Sequence, residues 1–372
     1  MARTPFARRW FVIIVGFLIL AILAMCALLV HSHKGTQGRD GERGDSRGIE
    51  ETRHSPTQDR GAGEPDGPTH GGRLPEGQGG AESGRLALAE ALASRGDEVS
   101  NVQALIEKAA GEEKERIREA LIDRFASDPD PRIRSACLIG MTKFRESARA
   151  MLLRALTSDP DRGVRRLAAY CLGQAGSEQE VDALFQAMVK DEGEFGSGRD
   201  IALVSIGSLG EIGGEKAADA LIAAWNDETL SRGCREQVLF ALGYTGAGKV
   251  FGILESALKG KEESLRDNAA SGLAELVRKN AANPEMVEKV TGLLRPHLND
   301  ENPGVRRSVV VALGWTGTRE DIRPLQVLLE DGYSSVVSYQ EAGQVKQKTV
   351  YPVRERAKEA IERIEKRFPP QD

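Results

Sequence analysis

The sequence predicts an all-α fold: an α-solenoid of about seven to eight helix pairs, with a β-hairpin inserted in the last pair. Three observations carry this expectation. The phrase Leu-Gly-x-x-Gly stands at Leu172–Gly176, Leu209–Gly213, Leu242–Gly246 and Leu313–Gly317, with a worn copy at Leu273-Ala274-Glu275-Leu276. Its first glycines lie 37, 33 and 71 residues apart, the last interval being two periods; a unit repeating at such a spacing is a supersecondary element that buries its apolar face against its neighbours. About ten residues upstream of most copies an arginine opens a helix, at Arg165, Arg199, Arg235, Arg266 and Arg306, with Arg134 and Arg354 continuing the series. Aromatic residues make up only 5% of the chain, which suits Ala/Leu-rich helix pairs better than sheet.

From the amino terminus, Trp10 to Val30 is an uncharged run of 21 residues, the length an α-helix needs to cross a hydrocarbon core. Arg3, Arg8 and Arg9 precede it and favour an internal amino terminus, although Lys34, Arg39, Arg43 and Arg47 follow and blunt the bias. Residues 1–31 are therefore expected to be a cytoplasmic tip and a single-pass anchor in the cytoplasmic membrane, with the repeat domain on the extracytoplasmic side. Two cleaved alternatives stand beside it. The run is longer than a secretory h-region and lacks Ala-x-Ala, and Leu23-Ala24-Met25-Cys26 resembles a lipoprotein box with Met25 in place of a small residue. Residues 32–85, rich in Gly, Arg, Asp and Pro with only Ile49 and Leu74 as sizeable aliphatics, are expected to be a disordered tether.

The repeat domain is expected over 86–372. Leu86–Ala93 and Val99–Ala110 read as an irregular amino-terminal pair. The first clear pair places Ile117, Leu121, Ile122 and Phe125 at helical spacing before the turn Asp128-Pro129-Asp130-Pro131. Asp130 can cap the next helix, and Pro131 fits its first position, where the missing N–H costs nothing. Further pairs follow over Ala148–Gly176, Gln179–Gly213, Ala217–Gly246, Val250–Val277 and Met286–Gly317, and a last one runs from Asp321 to Phe368. Within it, Tyr333–Tyr339 and Val345–Tyr351 are β-branched and aromatic at near-alternating positions around a short connection containing Gly343. This pattern predicts a hairpin over 333–351. It is either a cap on the final pair or a binding element.

The phrase Asp161-Arg162-Gly163-Val164-Arg165, echoed by Asn302-Pro303-Gly304-Val305-Arg306 and followed each time by a small-residue helix ending in Leu-Gly-x-x-Gly, resembles HEAT repeats of the short variety named after phycobilisome lyases. The resemblance covers roughly residues 113–368. It implies that the arginine and the turn aspartate bond between neighbouring units, so Arg134, Arg165, Arg235, Arg266, Arg306 and Arg354 are expected to be structural.

Residues 86–372 carry 40 basic against 46 acidic side chains, which argues against nucleic acid as a partner. The only histidine there is His297, too little for a metal site or a nucleophile–base pair. No His-Glu dipeptide of the kind that holds iron in deoxyhypusine hydroxylase occurs, and Cys26, Cys137, Cys171 and Cys234 show no paired spacing. No cofactor, metal or catalytic residue is expected, and the chain reads as a non-enzymatic scaffold for a protein partner, with self-association through an uncapped end possible. The alternative is a bilin-lyase-type enzyme or chromophore-binding protein, in which a thiol or carboxylate assists. Candidate partner-binding residues are Tyr244 and Trp315, which follow the motif's first glycine and share a ladder with Gln174, Glu211 and Glu275, together with Tyr333, Tyr339 and Tyr351 of the hairpin.

Overall fold

A computed structural model describes residues 78–144, 146–194, 200–341 and 344–369. They form a HEAT-like solenoid of eight helix pairs. The first three are α1 (Gln78–Ala93) with α2 (Glu98–Lys108), α3 (Gly111–Ser127) with α4 (Pro131–Met141), and α5 (Glu146–Ser158) with α6 (Arg162–Ala175). Next come α7 (Val181–Glu194) with α8 (Asp200–Ile212), α9 (Gly214–Asn226) with α10 (Arg232–Tyr244), and α11 (Phe251–Leu258) with α12 (Glu263–Lys279). The last two are α13 (Pro284–Leu294) with α14 (Pro303–Thr316), and α15 (Arg319–Val327) with α16 (Pro352–Arg367). Strands β1 (Ser335–Glu341) and β2 (Gln344–Val350) form an antiparallel ribbon between α15 and α16. Helix α1 begins ahead of the expected boundary at residue 86. Its glycines hide it from propensity, but Gly84 lets the helix lie directly on the Arg116 backbone of α3.

The expected anchor at 10–30 and the tether as far as residue 77 lie outside the described residues. Among the described residues no helix is long and apolar enough to cross a membrane. The placement as a single-pass membrane protein with an extracytoplasmic repeat domain is therefore corrected: the structure does not support it. The physical reason is plain in the longest described helices, α3 and α12, which have 17 residues each, several of them charged.

Several even helices start where a side chain satisfies a free N–H group. Asp130 accepts from Arg132 N at 2.9 Å, Asp161 from Val164 N at 3.0 Å and Asn302 from Gly304 N at 2.7 Å; Pro131 and Pro303 occupy the adjoining first positions. Burial then follows the repeat. The motif leucines Leu172, Leu209, Leu242, Leu273 and Leu313 are all buried in one continuous core, each contributing about 1.5–3 kcal/mol.

The motif glycines set how closely the even helices approach. A Cβ at Gly173 would strike Ser208 of α8, one at Gly243 would strike the Gly272 backbone of α12, and one at Gly314 would press on Ala360 of α16. The worn copy is compensated by a shift of register. Ala274 is buried where the motif has glycine, and Gly272, two residues earlier, takes the close contact with the Leu239 carbonyl. The second glycine does different work: Gly213 and Gly246 adopt φ of 70° and 74°, turns that L side chains resist.

The arginines bind the turns. Arg134 Nη1 donates to the carbonyls of Asp128 and Pro129 in its own unit at 3.0 and 2.9 Å, while Nε and Nη2 reach the Asp159 carboxylate of the next unit at 2.9 and 2.8 Å. Arg306 repeats this geometry on Asp300 O and Glu301 O, and on Asp331 at 2.7 and 3.1 Å. Arg266 bonds Lys261 O and, at 3.4 Å, Asp300. Arg165 holds its own turn at Asp159 O and Pro160 O, and Arg162 makes the link to Asp191 of the next unit at 2.8 Å. Arg354 donates to Asp331 O. Arg235 departs from the pattern and stacks on the Trp225 ring at 5.0 Å. Its turn, from Asp227, is two residues longer than that from Asp128 to Arg134, which moves the carbonyls away. Arg199 lies outside the described residues.

The carboxylates on this ladder also close the turns: Asp128, Asp159, Asp300 and Asp331 each accept the N–H two residues on, at 2.8–3.0 Å. Burial alone would raise Asp331 and Asp300. Arg306 and the Tyr333 N–H, and the Asn302 N–H, His297 and Arg266, reverse that and hold both below the ordinary 3.8.

The carboxy-terminal end is closed by α16. Its inward face is Val353, Ala357, Ala360, Ile361 and Ile364, and the remainder is almost wholly charged. Arg367 donates to the carbonyls of Gly314, Trp315 and Gly317 at 2.9 Å each, satisfying the end of α14. The ribbon covers nothing: β1 and β2 are exposed on both faces, with only Ser335 and Val350 partly shielded. The helix, not the hairpin, is the cap.

Two outcomes test this account. Gly243→Ala should destabilise by about 1–3 kcal/mol through overpacking. Gly207→Ala, where an added Cβ meets nothing within 4 Å, should be neutral or stabilising by up to about 1 kcal/mol; thermal melts of the two compare them directly. Because Asp300 and Asp331 are depressed when folded, their contribution is complete above the ordinary carboxylate value and is lost as pH falls through the native one. Arg306→Met should cost about 3 kcal/mol at neutral pH by stranding buried Asp331, and should lose less than the parent on acidification, as denaturant titrations at pH 7 and 3 will read.

Candidate interaction surface

The residue after each first motif glycine falls near the end of an even helix, and these side chains line up from unit to unit. Gln174, Glu211 and Trp315 are exposed; Tyr244 and Glu275 are half-buried. Successive helices α8, α10 and α12 bring Glu211, Tyr244 and Glu275 together closely enough to act electrostatically on one another. Burial first, then the negative charges of Glu211 and Glu275, holds the Tyr244 phenol above its ordinary value and keeps it a neutral donor. Lys279 Nζ stands 4.8 Å and the Arg278 guanidinium 5.7 Å from the centre of the Tyr244 ring, and Arg278 is itself bonded to Glu275 at 2.7 Å. Phe240, one turn earlier, meets Tyr244 with ring centres 5.8 Å apart.

Trp315, 44% exposed, is covered on one side by the Arg363 guanidinium of α16 at 4.5 Å. The arrangement is a stripe of two aromatics flanked by both signs of charge, each ring held by a cation from the following unit. Tyr170 of α6 belongs beside it and was missed by the sequence reading. It is half-buried, and burial followed by the neighbouring Cys171 and Glu211 raises its phenol. The signal was present, since Tyr170 stands three residues before Gly173 as Phe240 stands three before Gly243.

Tyr333, Tyr339 and Tyr351 are 43%, 41% and 39% exposed. They do not join the stripe. The ribbon leaves the stack at the turn between the two helices of a pair, whereas Tyr244 and Trp315 sit at the opposite ends of even helices. The 14 residues of α14 separate the two edges, about 20 Å at 1.5 Å per residue. Within the ribbon, Tyr339 lies opposite Lys346, which pairs with Glu341 at 2.6 Å. Tyr351 stacks on Arg354 at 4.3 Å, and the Tyr333 N–H donates to Asp331.

For chemistry the described residues offer little. His297 Nδ1 lies 3.3 Å from Asp300, where it supports the turn carboxylate. Burial pushes the Cys137 and Cys171 thiols up to about 12, far from the thiolate a nucleophile needs; Cys234 is buried too. No group of three or more His, Cys, Asp or Glu with the spacing of a metal site is present among the described residues. An open groove of about 580 Å³ lies between the turns around Asp128-Pro129 and Asp159-Pro160, bordered by Arg134 and Arg154.

No curated protein matches the chain by sequence. Among solved structures it is similar to the CpcE–CpcF complex of phycocyanin lyase from Nostoc sp., at 21% identity over 66% of this chain and 94% of that one, with a TM-score of 0.39. It is also similar to human deoxyhypusine hydroxylase in complex with glycerol, at 17% identity over 77% and 96% with a TM-score of 0.29. An engineered protein is similar at 16% identity over 76% and 78% with a TM-score of 0.32. The family model of HEAT repeats matches residues 118–195 and 253–342, so the chain carries HEAT repeats on either side of the segment that holds α8, α9 and α10.

Proposed function

We propose that this protein is a non-catalytic scaffold that presents the stripe running from Glu211 through Tyr244 and Glu275 to Trp315 to a protein partner. The observation that carries the reading is Trp315. A large aromatic stands nearly half exposed at the end of α14, held by Arg363 and not packed away between units. Aromatic and arginine side chains that are rigid before binding lose little entropy on contact, and such residues dominate the energetics of protein interfaces. The HEAT-like stack supports the reading because its glycine-spaced even helices fix the rungs relative to one another. The buried thiols supply no support for a thiol-assisted bilin lyase.

A photo-crosslinking residue tests the surface directly. Placed at Trp315, it should capture a partner in cells; placed at exposed Gln326 on α15, it should not. Trp315→Ala and Tyr244→Ala should each weaken that partner's binding by about tenfold or more, with both variants still folded and Tyr244→Ala, which loses its half-buried contact with Phe240, melting somewhat lower. Capture at 326 but not at 315, or full binding by both alanine variants, rejects the stripe as the interface.

A further inference from the structure

The ribbon has no support from the stack. Val336 and Val345 are 63% and 69% exposed, and both faces of both strands are open beyond the first residue pair. A two-stranded ribbon of this kind is marginal in water, and a third strand or a packed face is what ordinarily stabilises it. Among the described residues the backbone bonds of β1 and β2 stay within the ribbon, so each strand keeps one free edge.

The two free edges differ in chemistry. β2 carries Lys346 and Lys348, the kind of charge that protects an edge from adding another strand. β1 runs Ser335-Val336-Val337-Ser338-Tyr339-Gln340 with neither a charge nor a proline before Glu341. That edge is unprotected, and its sequence is close to self-complementary about Ser338.

We propose that the ribbon joins two copies of this chain, β1 of one pairing antiparallel with β1 of the other about a two-fold axis at Ser338, to give a four-stranded sheet. In this register Val337 lies opposite Tyr339 of the second copy, an aromatic–β-branched pair of the favourable kind. Val336 meets Gln340, Ser338 meets its own equivalent, and Ser335 meets Glu341, so no like charges are opposed. One face of the sheet is then uncharged across all four strands, being built in each copy from Val336, Ser338, Gln340, Val345, Gln347 and Thr349. The corresponding β2–β2 pairing about Gln347 would set Lys346 against Lys348 on both sides, which is unfavourable. The isologous contact needs nothing from the Trp315 stripe and stands whether or not that surface binds a protein.

Sedimentation equilibrium of the full chain should show a monomer–dimer equilibrium. Val337→Lys with Ser338→Lys should weaken it by about tenfold or more by removing both Val–Tyr pairs and opposing lysines at the axis. Should that variant lose its ribbon, single cysteines decide. In a Cys26→Ser background, Ser338→Cys should link two copies through a short bismaleimide, and Gln347→Cys should not. A chain that stays monomeric at every concentration, a dimer unaffected by the lysines, or linkage through 347 in preference to 338 overturns the proposal. Linkage of position 338 to a different protein also overturns it and assigns the edge to that protein.

Discussion

The turn carbonyls are the constraint on which this stack depends. When a helix ends against a neighbouring unit, its last C=O groups have no intrahelical donor and little water. At the joints of Arg134, Arg165, Arg266 and Arg306 the chain meets this with one guanidinium each. The fork of Arg134 or Arg306 has enough N–H groups to bond two carbonyls of its own turn and, in the same plane, the carboxylate of the next turn. A lysine could not do both. The same carboxylate accepts the backbone N–H that shapes its own turn, so turn conformation and the spacing between units are set by one shared group.

The motif glycines act on the other edge of the same helices. There the backbones come close enough that a methyl group would not fit at Gly173 or Gly243. Charge therefore pins one end of α6, α12 and α14, and close packing the other. The rungs between them, including Tyr244 and Trp315, are fixed by geometry that neither aromatic supplies. A surface of this sort is organised before anything binds to it.

Much of this was legible in the residues. Asp130-Pro131 and Asn302-Pro303 announce helix starts through capping chemistry that is local in sequence, and the hairpin followed from β-branched alternation around Gly343. The pairing of Arg134 with Asp159 could be expected only from the family resemblance, because the partner lies 25 residues away and is one of two aspartates in its turn. Asp161, in the phrase that carried the resemblance, proves to be the helix cap, and Asp159 receives the arginine. Arg235 shows the limit of motif reasoning, since a turn two residues longer moves the carbonyls away from an arginine at the usual position. The exposure of the ribbon was not legible at all. Alternating Val and Tyr signal a strand equally well whether its apolar face is covered or open, and only the path of the chain between α15 and α16 distinguishes the two.

The charged outer side of α16 has a further consequence for growth. A stack of repeats is in principle an open-ended polymer, since any unit can serve as the template for another and head-to-tail addition has no natural stopping point. Here the terminal helix offers an incoming unit only arginine, lysine and glutamate, each of which would have to be dehydrated. Head-to-tail addition at that face therefore carries a dehydration cost that the contacts between internal repeats do not.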